Sequence, residues 1–214
     1  MTMKMDFSID SLVADLTPVA RVRPRGALGL VLGTTALAIM WVALRFGIRP
    51  DLLAGTPHPI VVIRGGILLL LGFASLAGIV TAARPGVGQA SHGWRWALAA
   101  AALFPVTSLL LSLVNGGFPQ DDMHSPNGPW CLGISTVGAT LIGGALTAWL
   151  RRGAPTALNR AGWLVGLAAG SFGAFAYGLH CPSTTVYYVG LWYSGAVAMC
   201  ALAGRLIVPP LIRW

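Results

Sequence analysis

The chain has 214 residues, 56% hydrophobic and only 9% charged, with a net charge of +8 at neutral pH; its mean hydropathy is +0.74. Soluble domains carry roughly 25% charged residues, so this depletion excludes an ordinary soluble domain and points to a membrane protein. The basic excess does not indicate nucleic acid, because the arginines gather at the ends of apolar stretches, where they orient a membrane protein and attract anionic lipid.

Residues 5–20, MDFSIDSLVADLTPVA, predict a short helix over 8–17 with Ser8 as N-cap and Asp10 favouring the first turn. Ile9, Leu12, Val13 and Leu16 follow the spacing of one apolar face. Pro18 ends the helix, and Arg21, Arg23 and Arg25 follow it. A lone amphipathic helix is marginal in water, so this stripe needs a partner. Its polar face carries Asp6, Asp10 and Asp15 instead of lysine and arginine, which favours a basic protein partner over the anionic lipid surface. No n-region and h-region pattern of a cleavable signal precedes the first apolar stretch, so that stretch is expected to stay in the mature protein.

Six apolar stretches follow, near 27–46, 60–82, 96–115, 131–150, 161–180 and 187–208. Each is long enough to cross roughly 30 Å of hydrocarbon at about 1.5 Å per residue. The expected fold is therefore an all-α integral membrane bundle of six spans, with residues 1–25 as a cytoplasmic segment and 26–214 as the membrane domain. Span two carries Arg64 close to its outer end, read as an anchor that snorkels to the interface or pairs with Asp51 or Asp121. Pro105 is expected to kink span three. Lys4, Arg21, Arg23, Arg25, Arg84, Arg95, Arg151, Arg152, Arg160, Arg205 and Arg213 put eleven of the fourteen basic residues on one side. The positive-inside rule then places both termini in the cytoplasm and loops one, three and five outside.

Spans four and five form a hairpin with a cysteine at each outer end. Nineteen residues separate Cys131 from Arg151, and twenty separate Arg160 from Cys181, so both thiols emerge at one depth on the side away from the basic turn. Span five carries Gly162, Gly166, Gly170, Ala174 and Gly178 at a strict spacing of four, and span four carries Ser135, Ala139 and Gly143 in a row begun by Cys131. Rows of small residues allow membrane helices to approach closely, which predicts that these two rows meet. Cys200, amid span six, reads as a small buried apolar residue. Cys131 and Cys181 stand instead at an interface, near Asp121, Asp122 and His124 of loop three and beside His180. Three readings stay open for them: a structural disulfide, persistent on an oxidising side; a metal or redox sensor, since thiolate and imidazole suit soft or borderline ions; or two inert interfacial cysteines.

The chain has no CxxC, GxSxG or HExxH motif and no glutamate, so no converging catalytic set is visible and no enzyme is expected. No resident cofactor is expected either, beyond a transient soft metal ion. A small multispan transporter or metal-handling permease is the alternative function.

Several segments carry a resemblance to a known family: SLVADLTPVARVRP at the front, LRRGAP at 150–155, AGWLVGLAAGSFGAFAYGLHCP at 161–182, LWY at 191–193 and the closing RW. The chain resembles the NrsF-type membrane anti-sigma factors, negative regulators of extracytoplasmic-function sigma factors. The resemblance implies a multi-pass protein of the bacterial inner membrane, whose N-terminal segment holds a sigma factor away from RNA polymerase. Ile9, Leu12, Val13 and Leu16 would then bind that sigma factor. It also implies that two outward cysteines, here Cys131 and Cys181, respond to heavy-metal or oxidative stress. His180, His124, Asp121 and Asp122 complete the candidate metal ligands. Members of the family often carry an acidic residue after the Cys-Pro pair, whereas this chain has Ser183, Thr184 and Thr185, which would shift a carboxylate ligand to Asp121 or Asp122.

Overall fold

The computed structural model describes residues 23–83, 93–153 and 155–213, and among these all regular structure is helical. The predicted amphipathic helix with Ile9, Leu12, Val13 and Leu16 lies outside the described residues.

The first helix, α1 (Pro24–Phe46), starts on a proline, whose fixed φ suits a first helical position. Its buried residues Ala27, Val31, Thr35, Ala38 and Val42 follow the spacing of one helical face. It stops at Gly47, whose φ of 83° is open mainly to glycine and whose N–H donates to the Ala43 carbonyl. A short α2 (Pro50–Leu53) leads to α3 (Pro59–Ala82), where the His58 ring accepts a hydrogen bond from the Ile60 N–H at the helix start.

The third apolar stretch is two helices, α4 (Gly93–Ala101) and α5 (Leu103–Val114). The break falls where Pro105 has no N–H to give the Ala101 carbonyl, four residues back, so the expected kink is present. After α6 (Gln120–Met123) come α7 (Asn127–Leu150) and α8 (Leu158–Gly178). The chain ends in α9 (Val186–Tyr188), a π-turn over Val189–Tyr193 and α10 (Ser194–Ile212), which run as one continuous rod.

Helices thus occupy all six expected positions, and among the described residues four are long and apolar enough to cross a membrane: α1, α3, the α6–α7 segment and the α9–α10 rod. Helix α8 is the axis of the bundle. Sixteen of its 21 residues are buried, because α3, α7 and α10 all pack against it. A helix enclosed by protein has no lipid to satisfy, which lets it consist largely of glycine and alanine. The outward faces of the surrounding helices carry exposed Leu37, Leu44, Val62, Leu109, Val114 and Leu206, as lipid-facing surfaces do.

The glycine row of α8 meets a different neighbour from the expected one. A Cβ at Gly162 would lie 2.7 Å from the Gly204 carbonyl oxygen, at Gly166 2.3 Å from that of Cys200, and at Gly170 3.1 Å from the Val197 Cα. The row therefore seats α10. Helix α7 takes the adjoining stripe, where a Cβ at Gly173 would lie 2.4 Å from the Ser135 carbonyl oxygen and one at Gly143 3.3 Å from the Ala169 Cβ. Spans four and five do pack closely, and Ser135, Ala139 and Gly143 do face span five, but Gly162, Gly166 and Gly170 face span six. Cys200 fills this seam as a small packing residue, 8% exposed.

Candidate functional site

Cys131 stands in the second turn of α7, one turn before Ser135 on the same face. Cys181 follows the end of α8, where its N–H donates to the Tyr177 carbonyl. The hairpin brings both thiols into one buried cluster with Tyr177, Tyr188 and Tyr193. Both thiols are free and electrostatic neighbours of each other. Their placement differs from the sequence expectation in one respect: each is 0% exposed, so they lie sealed within one end of the bundle, not at an accessible interface.

The lid over them is formed by Tyr188, just before the π-turn, and Tyr193, its last residue. Residues five apart in an α-helix point about 140° from each other. The wider π-turn, whose hydrogen bonds close i to i+5, brings Tyr188 and Tyr193 to one face, with ring centroids 6.3 Å apart. The Tyr188, Tyr193 and Ser135 hydroxyls are buried and find no oxygen or nitrogen partner; the thiols of Cys131 and Cys181 are their hydrogen-bonding neighbours. Both thiols are among the groups around the two tyrosines, and Ser135 is a neighbour of Cys131. Buried hydroxyls held only by weak acceptors are costly and uncommon. Here they surround two groups that accept hydrogen bonds strongly only as thiolates.

Arg64 supplies the positive charge. It is 2% exposed and therefore does not snorkel. Its Nη2 donates to the Gly178 carbonyl at 2.8 Å and its Nη1 to the Ser183 carbonyl at 3.2 Å. The guanidinium lies 4.4 Å from the Tyr193 ring centroid, within cation–π range. Gly178 is the last residue of α8, where unpaired carbonyls and the helix dipole favour a cation. Arg64 pairs with neither Asp51 nor Asp121: Asp51 is held by Arg49.

That second arginine ties loop one to loop five. Arg49 forks onto Asp51 at 2.8 and 2.9 Å, donates from Nη1 to the Cys181 carbonyl, and takes the Leu179 carbonyl with its own N–H at 3.1 Å. Hydrogen bonds from Arg49 lower the Asp51 carboxyl from 3.8 to about 2, and Asp51 in turn raises Arg49.

The remaining candidate ligands stand apart from the thiols. The His180 ring is 3.1 Å from the Gly47 carbonyl and packs between Phe46 and Tyr177. His124 is exposed, with its ring against the Gln120 carbonyl. The Asp122 carboxylate accepts from the Thr185 hydroxyl at 2.8 Å, and its carbonyl from the Trp192 indole at 2.9 Å, so Asp122 ties loop three to the lid. Asp121 is exposed. Among the described residues no three of His, Cys, Asp and Glu converge on one point. The thiol pair alone remains as a ligand set, and two thiolates suit a soft ion.

Arg64 was visible in the sequence but assigned to the surface. Tyr177, Tyr188 and Arg49 carried no sequence signal that separates them from ordinary interfacial residues.

The family described as "Negative regulator of sigma F", NrsF, matches residues 12–214. The chain is 32% identical over 225 residues to the "Anti-sigma-F factor NrsF" of Caulobacter vibrioides, covering 99% of this chain and all of that protein. It is 26% identical over 201 residues to the "Probable anti-sigma-F factor NrsF" of Azospira oryzae, covering 89% of each. No solved structure matches the chain.

Proposed function

The chain belongs to the NrsF family of negative regulators of sigma F, and from that premise we propose that it holds an extracytoplasmic-function sigma factor at the inner membrane and releases it under heavy-metal or oxidative stress. In this reading six spans cross the bilayer with both termini in the cytoplasm. The N-terminal segment grips the sigma factor through Ile9, Leu12, Val13 and Leu16. Its aspartates face a basic partner surface.

The observation that supports the sensing half is the sealed pair of free thiols ringed by buried hydroxyls that have the sulfurs as their hydrogen-bonding neighbours. A soft ion bridging Cys131 and Cys181 would displace two protons and turn both sulfurs into strong acceptors, which the Tyr188, Tyr193 and Ser135 hydroxyls are placed to satisfy. Oxidation to a disulfide needs the two Cα atoms roughly 4.4–6.8 Å apart. Either event pulls the start of α7 toward loop five.

Co-purification tests the binding half. The full chain should retain the sigma factor, and a chain lacking residues 1–20 should lose it; no retained complex with the full chain overturns the reading. For the sensing half, Cys131→Ser and Cys181→Ser should each leave the sigma regulon unresponsive to soft metal and peroxide. A normal response in both variants removes that half and leaves the binding half standing.

A further inference from the structure

Between α3, the elbow of α4 and α5, and α10 lies a cavity of about 450 Å³, within the roughly 300–1,000 Å³ of small-molecule sites. Its walls are apolar, with Leu71 and Leu167 at depth, and Arg64 and Tyr193 lie at one end. Leu98 lines it while 41% exposed, so the cavity reaches the outer, lipid-facing surface of the bundle.

The polar end is incomplete. Arg64 has no carboxylate partner among the described residues. Of its five N–H donors, one each from Nη1 and Nη2 meets a carbonyl, leaving three. The Tyr193 residue is 2% exposed, and its hydroxyl has no oxygen or nitrogen partner, only the weakly accepting Cys181 thiol beside it. Two carbonyls and one aromatic face offset a buried cation without neutralising it, and an anion there would be held by charge-assisted hydrogen bonds.

We propose that this cavity binds one acyl chain of an anionic amphiphile, whose carboxylate or phosphate head sits on Arg64 and accepts from Tyr193. The orientation fits. Arg64 stands in the second turn of α3, and Leu71 lies about 10 Å further along the axis. A head at Arg64 therefore lies toward the membrane surface with its tail toward the midplane, as in the leaflet on that side. The site shares Arg64 and Tyr193 with the surroundings of the thiols, but its test reads lipid binding alone and needs neither the sigma-binding nor the thiol-sensing assignment. Free fatty acid and acidic phospholipid share this chemistry, and the test separates them.

The full-length protein, purified in a non-ionic detergent, is titrated with oleate, with phosphatidylglycerol and, as neutral counterpart of the same chain, with monoolein. Native mass spectrometry reads binding, and the thermal midpoint reads stabilisation. Oleate or phosphatidylglycerol should bind and raise the midpoint, and whichever does so identifies the source. Arg64→Gln should weaken that binding at least roughly tenfold, the worth of a charged hydrogen bond. Ala101→Phe, which fills the cavity and keeps Arg64, should weaken it similarly and decides the matter if Arg64→Gln does not fold. Monoolein binding as tightly as the anions, anion binding unchanged by Ala101→Phe, or no binding by either anion overturns the proposal.

Discussion

Gly166→Ala is the sharpest test of how the bundle is assembled. Its new Cβ would lie 2.3 Å from the Cys200 carbonyl oxygen and 2.7 Å from the Ala201 Cα. Both are backbone atoms of α10, so no rotamer change relieves the contact and the helices must part by about an ångström. A gap of that size forfeits a quarter to a half of each dispersion contact it opens, and it runs the length of the seam shared with Gly162 and Gly170. Overpacking of this kind costs about 1–3 kcal/mol, against a gain of about 1 kcal/mol in helix propensity. Because the obstruction is backbone, the upper end applies, and the expected net loss is about 2 kcal/mol. Gly133→Ala is the control: nothing lies within 4 Å of its Cβ, so it should be neutral or up to about 1 kcal/mol more stable. Unfolding in mixed micelles with increasing sodium dodecyl sulfate, followed by circular dichroism, measures both. Stability of Gly166→Ala within about 0.5 kcal/mol of wild type, or an equal loss in Gly133→Ala, would refute the assigned seam.

Gly173→Ala, with its Cβ 2.4 Å from the Ser135 carbonyl oxygen, pushes α7 instead of α10; it should speed alkylation of Cys131 by maleimide, whereas Gly166→Ala should leave that rate near wild type. In the wild-type protein Cys131 and Cys181 should react roughly a hundredfold more slowly than in denaturant, because both must wait for local opening; rates near those of the unfolded chain would contradict the sealed site. The Asp51 carboxyl, held at about 2 in place of 3.8 by Arg49, stabilises the fold above pH 3.8, and this contribution disappears as pH falls through about 2. The midpoint difference between wild type and Asp51→Asn should therefore shrink across that acid window; an undiminished difference at pH 2 would mean the pair does not act through its charge. Ala38→Leu, which crowds the contact of α1 with α7 at Gly138, should change sigma release without changing alkylation of the thiols, as a reporter fusion and a maleimide time course would show together; a wild-type response to inducer would separate α1 from the sensing end.

The sequence marked the helix positions well because lipid imposes length and apolarity on anything that crosses it. It also placed Cys131 and Cys181 together, since equal residue counts from one basic turn imply equal depth. Its reading of the glycine row went to the wrong neighbour for a physical reason. Spacing of four tells how near a helix can come, not which helix comes. A matching row on span six, Ala196, Cys200 and Gly204, carried the missing signal. Arg64 was misjudged because nearness to a span end is one-dimensional, while its direction is set by the Gly178 and Ser183 carbonyls across the bundle. The tyrosine lid depends on a π-turn, and nothing in VGLWY distinguishes that turn from one more turn of α-helix.

In the proposed sensor, an event at the thiols would reach the other end of the bundle through α7. Cys131 lies near one end of this helix and Trp149 near the other, about 27 Å away at 1.5 Å per residue. No proline interrupts the stretch between them, and α7 runs unbroken from Asn127 to Leu150. Midway, a Cβ on Gly138 would lie 3.4 Å from the Gly173 Cα of α8 and 3.7 Å from the Ala38 Cβ of α1, so α7 is clamped between the two. At its far end the Trp149 indole lies 3.3 Å from where a Cβ on Gly26 would be, at the start of α1, where residues 1–23 join the bundle. Helix shifts of about 1–2 Å at such contacts are typical of switching proteins, and a coupling of about 1–3 kcal/mol is enough to change occupancy of a partner several-fold or more. Helix α10 seats on α8, whereas α1 alone continues into the N-terminal segment, so under the proposed function the route from sulfur to that segment would run along α7 and across to α1.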